Sequence, residues 1–206
     1  MLEGRDIECM RGDRVLFSDV NFALEPGALL RIAGANGSGK TSLLRIVCGL
    51  AVPTLGEVVW RGENVRRLRE DYWKDVAYIA HASAVKDDLT AQENVEIGCR
   101  LSGLPIAPAD AAVALEQFGV AHCALLPTRS LSQGQRRRVA LARLALSENL
   151  PIWVLDEPFT ALDVAAVAFL QGLVAAHLLR GGIVILTTHQ EVRIEATISM
   201  RIDLNG

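Results

Sequence analysis

No run of about twenty apolar residues occurs anywhere in the 206-residue chain, so the sequence offers no helix able to span a bilayer. Any membrane role is expected to come through a partner. The opening residues Met1–Asp6 are polar and lack the apolar stretch of a secretory signal. Cysteine is scarce: Cys9, Cys48, Cys99 and Cys123 are scattered, with no C-x-x-C spacing, so neither a disulfide framework nor a zinc site is indicated. Reduced core cysteines and a reducing compartment are expected. There is no basic excess either. With 21 basic and 24 acidic residues the net charge is −3, which gives no footprint for nucleic-acid binding. Linkers, repeats and low-complexity tracts are also missing.

What is present is half apolar, enough for a single domain with a real core. The most specific stretch is Gly34-Ala35-Asn36-Gly37-Ser38-Gly39-Lys40-Thr41. It follows the strand-like run Leu29–Ala33 and opens an amphipathic helix over Ser42–Cys48, the context that G-x-x-x-x-G-K-[ST] needs to act as a phosphate loop. Its backbone N–H groups and the helix start suit anionic oxygens. Lys40 is placed to reach the β- and γ-phosphates, and the Thr41 hydroxyl to sit on Mg²⁺.

Taken in order, residues 5–33 read as alternating strands, predicting a small antiparallel sheet. The pieces are Ile7–Met10 and Val15–Phe17 around a turn at Arg11–Asp13, then Val20–Leu24. Glu57–Trp60 is a further strand. Val65–Lys74 mixes charges of both signs and is expected to be a solvated helix or loop. Val76–Ala80 is a buried strand ending at His81. From 82 to about 150 the pattern turns helical, with helices expected over Ala91–Ser102, where Thr90 and Glu93 form a capping box, over Ala109–Phe118 and over Gln133–Ser147. Ile152–Leu155 and Ile183–Leu186 are continuous apolar runs, as in strands covered on both faces, with a helix over Val164–Leu179 between them. Ile198–Leu204 closes the chain as a strand.

The ends of the apolar strands carry the remaining chemistry. Asp156, ending its strand, can hold Mg²⁺ beside Thr41, and Glu157 can polarise a water attacking the γ-phosphate. His189, following Thr187-Thr188, points at the same edge. Leu131-Ser132-Gln133-Gly134-Gln135 places Ser132 and Gly134 at a helix start, a second anion site. One chain needs one phosphate loop for its own nucleotide, so this second site makes sense if it closes on the nucleotide of another subunit.

Together, Gly34–Thr41, Leu131–Gln135, Asp156–Pro158, Ala161-Leu162-Asp163 and His189 resemble the ATP-binding cassette (ABC) ATPase family over essentially the whole chain. Within it the chain is similar to ATP-binding subunits of haem exporters in c-type cytochrome maturation. The stretches carrying this are Leu131–Leu144, Asp156–Ala161 and Gly181–Gln190, with His81 standing where glutamine is usual.

The resemblance implies an α/β fold: a P-loop NTPase core with an antiparallel β subdomain and a helical subdomain, residues 1–206 forming one nucleotide-binding domain with the helical part at about 82–150. It implies ATP and Mg²⁺ as ligands, and a head-to-tail homodimer with ATP between Lys40 of one copy and Ser132, Gly134 and Gln135 of the other. Glu157 would be the catalytic carboxylate, His189 the switch histidine and Asp163 part of the dimer-contact loop. His81 would touch Mg²⁺ and water and signal to the membrane part. Arg11 falls where an aromatic commonly stacks on adenine, and a guanidinium can also stack on a base.

The implied partners are an integral membrane subunit (CcmB-like) with CcmC-, CcmD- and CcmE-like proteins, at the cytoplasmic face of the inner membrane. Residues Ala82–Glu96 would meet the membrane subunit. The sequence leaves open another exported substrate, or a soluble non-transport ABC ATPase. The latter usually carries a coiled-coil insert or two fused cassettes, and this chain has neither.

Overall fold

The computed structural model describes residues 1–82, 84–190 and 192–204. Two sheets organise the chain. In the first, β1 (Leu2–Arg11) lies between β2 (Arg14–Leu24) and, further along the chain, β4 (Leu55–Trp60), which also pairs β5 (Glu63–Asn64). All its pairings are antiparallel. The sequence suggested two short strands over Val15–Leu24. They are one long strand, β2, with Asp19 in the left-handed region at φ 54° and register shifts along its pairing with β1.

The second sheet is parallel throughout, in the order β6 (Val76–Ile79), β7 (Ile152–Asp156), β8 (Ile183–Thr187), β3 (Ala28–Gly34), β9 (Ile198–Leu204). Every residue of β7 and β8 is buried, the property that produced their unbroken apolar runs. Alternation along the pleat sorts these side chains. Leu30, Ile32, Val154 and Ile185 share a core with Leu43, Leu44 and Val47 of α1 (Lys40–Val47) and with the first sheet. Leu29, Trp153, Leu155, Val184 and Leu186 face the opposite side, toward the helices that follow.

Between β5 and β6 lie two short helices, α2 (Val65–Leu68) and α3 (Glu70–Trp73). This stretch is less solvated than its charges suggested. Tyr72 is buried, and its hydroxyl donates to the Val47 carbonyl, while the Trp73 indole donates to that of Cys48. Both satisfy carbonyls at the end of α1 that the helix itself leaves open.

The helical region comprises α4 (Ala91–Leu101), α5 (Pro108–Gln117) and α6 (Gln133–Ala145). The expected capping box starts α4: Thr90 Oγ1 accepts from the Glu93 N–H, and Glu93 accepts from the Thr90 N–H. Pro108 is the first residue of α5, where its missing N–H costs nothing. Finally α7 (Val164–Leu179), capped by Asp163, returns the chain to β8. Because the second sheet is parallel, β3, β6, β7 and β8 all deliver their carboxyl ends to one edge.

Candidate active site

At that edge β3 runs into the glycine loop. Gly39 takes φ 100° as it enters α1, a conformation that side chains rarely adopt, and a Cβ there would lie 2.8 Å from the Phe17 ring. Lys40 is nearly buried, and its ammonium donates to the carbonyls of Gly34 (2.8 Å) and Ala35 (3.0 Å), so the lysine arches back over its own loop. The Ser38 hydroxyl is buried with no partner among the described residues. An unpaired hydroxyl in a glycine-rich loop that runs straight into a helix start fits a phosphate chain.

The Thr41 hydroxyl, on α1, donates to Asp156 Oδ2 at 2.8 Å. The other carboxylate oxygen of Asp156 accepts from Thr187 Oγ1 at 2.7 Å, and Thr187 Oγ1 in turn accepts from the Glu157 N–H at 2.9 Å. Thr187 is fully buried and holds the two acidic residues in register. The sequence reading gave it no role, although a hydroxyl ending a buried apolar strand was the signal available. No cluster of three or more His, Cys, Asp or Glu residues that could hold a metal occurs among the described residues. A hydroxyl and one carboxylate side by side suit Mg²⁺, which usually completes its shell with water and substrate phosphates.

Glu157 follows at φ 48°, a strained backbone for a non-glycine residue. Its side chain is mostly buried, with Oε1 3.4 Å from His189 Nε2 and Oε2 accepting from the His189 N–H at 3.2 Å. His189 itself is half exposed. An open cleft of about 650 Å³ brings together the loop, Thr41, Arg11, His81, Asp156, Glu157 and His189. Its size is ordinary for a small-molecule site.

Ser132, Gly134 and Gln135 do not line this cleft. Ser132 caps α6 in a reciprocal box: its Oγ accepts from the Gln135 N–H at 3.2 Å, and Gln135 Oε1 accepts from the Ser132 N–H at 2.9 Å. The hydroxyl thus spends a lone pair on the helix and keeps its proton to donate elsewhere. Gly134 packs tightly, since a Cβ would sit 2.9 Å from the Ala161 carbonyl. Asp163 also stays outside the cleft. It caps α7 through the Ala166 N–H and pairs with Arg138 at 2.6 Å, and that cap, with the Arg138 charge, holds its carboxyl below the usual range.

One residue of the Leu131–Leu144 stretch, given no role of its own from the sequence, stands out. Arg137, on α6, is 4% exposed and reaches the ends of two strands. One of its amino groups donates to the carbonyls of Ala80 (2.8 Å) and His81 (3.3 Å), the other to those of Asp156 (2.8 Å) and Glu157 (2.9 Å). Burial pulls its pKa down, and the Asp156 and Glu157 carboxylates pull it up.

The ABC transporter family model matches residues 17–160. The chain is 52% identical to a cytochrome c biogenesis ATP-binding export protein, CcmA, of Nitrosomonas europaea, over 93% of this chain and 90% of the relative. It is 51% identical to the protein of that name in Nitrosospira multiformis, over 98% of both. Among solved structures it is similar to an ATP-binding subunit of an ABC transporter (TM-score 0.82, 25% identity, 92% of this chain and 79% of that one). It is also similar to a dimeric ATP-binding cassette in a post-hydrolysis state bound to ADP and Pi (TM-score 0.81, 26% identity, 92% and 88%).

Proposed function

The chain belongs to the ABC transporter family, and from that membership we propose that it is the ATP-hydrolysing, energy-coupling subunit of an export complex in c-type cytochrome biogenesis, with haem export as the transport reading. Its near-complete alignment with the export proteins of that pathway supports the assignment. The observation that carries the enzymatic part is the placement of Glu157 and His189 across one cleft from the phosphate loop.

The chemistry follows from those positions. With ATP in the cleft, the Lys40 ammonium exchanges its carbonyl partners for the β- and γ-phosphate oxygens, and the loop N–H groups hold the rest of the chain. Thr41 and Asp156 would hold Mg²⁺, which spreads the charge of the β- and γ-phosphates. The Glu157 carboxylate orients and polarises a water. The water oxygen bonds to the γ-phosphorus, the bond from that phosphorus to the bridging oxygen breaks, and ADP and inorganic phosphate leave. His189 steadies Glu157 and donates to the γ-phosphate. Arg11, at the cleft mouth, lies against the base, and His81 carries the state of the site toward the membrane partner.

The cleft is half a site in this account. Ser132, Gly134 and Gln135 of a second copy complete it head to tail, with Asp163 at the contact between copies. Residues 1–206 act as one nucleotide-binding domain, with the helical part at about 82–150. Among the described residues no helix is long and apolar enough to cross a membrane. The proposed place is therefore peripheral, at the cytoplasmic face of the inner membrane, under a CcmB-like integral subunit with CcmC-, CcmD- and CcmE-like proteins nearby. The test is Glu157→Gln in cells that make c-type cytochromes, with co-purification of the membrane subunit. Loss of mature cytochromes with the complex intact is expected; undiminished cytochromes would exclude the coupling role.

A further inference from the structure

We infer that Arg137 is a positioning residue that couples the two ATP sites of the dimer. The geometry points to it acting between the α6 start, which faces the partner's nucleotide, and the backbone of Asp156 and Glu157 in its own chain. The inference rests on the two-copy site proposed above.

β6 and β7 pair in register as far as Ile79 and Leu155. Beyond that pair, the carbonyls of Ala80, His81, Asp156 and Glu157 have no place in the β6–β7 ladder, and those of the buried Asp156 and Glu157 need donors. Arg137 supplies them from one planar guanidinium, one amino group to each strand end. A lysine ammonium has three donors on a point charge and cannot reproduce that fork. The bonds fall on backbone and not on carboxylates, so they fix where the acidic side chains start.

The three anchors of Glu157 therefore differ in origin. Its N–H is held by Thr187 of β8, its carboxylate by His189, and its carbonyl by Arg137 of α6. Only the last belongs to the helix that begins at Ser132. Arg137 lies five residues beyond that cap, about 7.5 Å along a continuous helix. A shift of α6 as Ser132 takes up the partner's γ-phosphate is thus delivered to the Glu157 backbone, already strained at φ 48°. The same side chain holds the His81 carbonyl, so the residue given the signalling role in the proposed function receives the same displacement.

The experiment uses the full chain carrying Arg137→Lys, with Arg137→Gln as the second variant because its amide keeps donors without the buried charge. Thermal melts establish folding. Steady-state turnover against ATP concentration is then compared with wild type. The expected result is a kcat lower by about tenfold or more, as for a misplaced catalytic group, a KM for ATP within about twofold, and a Hill coefficient falling toward one. Millimolar methylguanidinium restores part of the kcat of Arg137→Ala. A folded variant with unchanged kcat and Hill coefficient overturns the proposal. So does a lower kcat with undiminished cooperativity, which marks a purely structural role. ATP-dependent dimerisation of Glu157→Gln, with and without Arg137→Lys, runs alongside. Failure of Glu157→Gln alone to dimerise would defeat the two-copy site itself; dimerisation of both leaves that reading standing and isolates Arg137.

Discussion

Thr41 Oγ1 and Asp156 Oδ2, 115 residues apart in sequence, are joined by a 2.8 Å hydrogen bond across the floor of the cleft. The pair ties the first turn of the phosphate-loop helix to the end of β7 and presents two oxygens side by side. Thr41→Ala removes one of them while leaving Lys40 and the loop in place. Turnover is expected to fall by roughly a hundredfold, as for loss of one group that stabilises transition-state charge. The Mg²⁺ concentration for half-maximal rate should rise. A titration of rate against Mg²⁺ checks both, and an unchanged titration would remove Thr41 from the metal site.

Glu157 and His189 are held together at two points, so their loss should differ in kind. Glu157→Gln keeps the size and the bond from the His189 N–H but cannot polarise water. ATP binding persists while turnover drops about a hundredfold or more. His189→Ala removes the ring yet keeps the backbone donor. Its KM should rise less than its kcat falls. Equilibrium binding of a fluorescent ATP analogue beside single-turnover hydrolysis separates the two variants.

Away from the cleft, His177 is fully buried with its ring stacked on Trp153, 3.9 Å between centroids and 5° from parallel. Neither ring nitrogen has a partner among the described residues. Burial, with the charge of Arg180, pulls its pKa from 6.5 down to about 4. The unfolded chain therefore binds the proton first, so this contribution to stability is complete above about pH 6.5 and is lost as pH falls toward 4. Melting temperatures measured from pH 7 to 4 should drop more steeply for the wild type than for His177→Phe. Gly182→Ala should destabilise at every pH, because a Cβ at Gly182 would overlap the His177 ring.

Legibility in the sequence followed how local each feature was. The phosphate loop, the β7 and β8 runs and the Thr90 capping box depend on neighbours within a few residues, and each lies where the pattern put it. The join between Thr41 and Asp156 was readable only because strand ends in a parallel sheet converge. Arg137 and Tyr72 were not readable. A charge on a helix and a tyrosine among charges both look like solvated surface, and their partners are backbone carbonyls of other elements. The continuity of β2 through Asp19 was hidden for a similar reason: one left-handed residue splits the alternation, and the two halves pass for separate strands.

In the proposed dimer each ATP site is built from two copies, and mixing two damaged chains reads that arrangement out. Lys40→Ala removes the phosphate cradle; Ser132→Arg removes the closing helix start. Neither pure variant should hydrolyse ATP. In a mixed head-to-tail dimer, one site pairs the intact Lys40 with the intact Ser132. Random mixing makes half the dimers mixed, each with one intact site of two, so turnover above that of either pure variant should return, at most about a quarter of wild type and lower to the extent that the dead site no longer acts through Arg137. A mixture as inactive as its components, with mixed dimers demonstrated by differently tagged chains, would contradict the account.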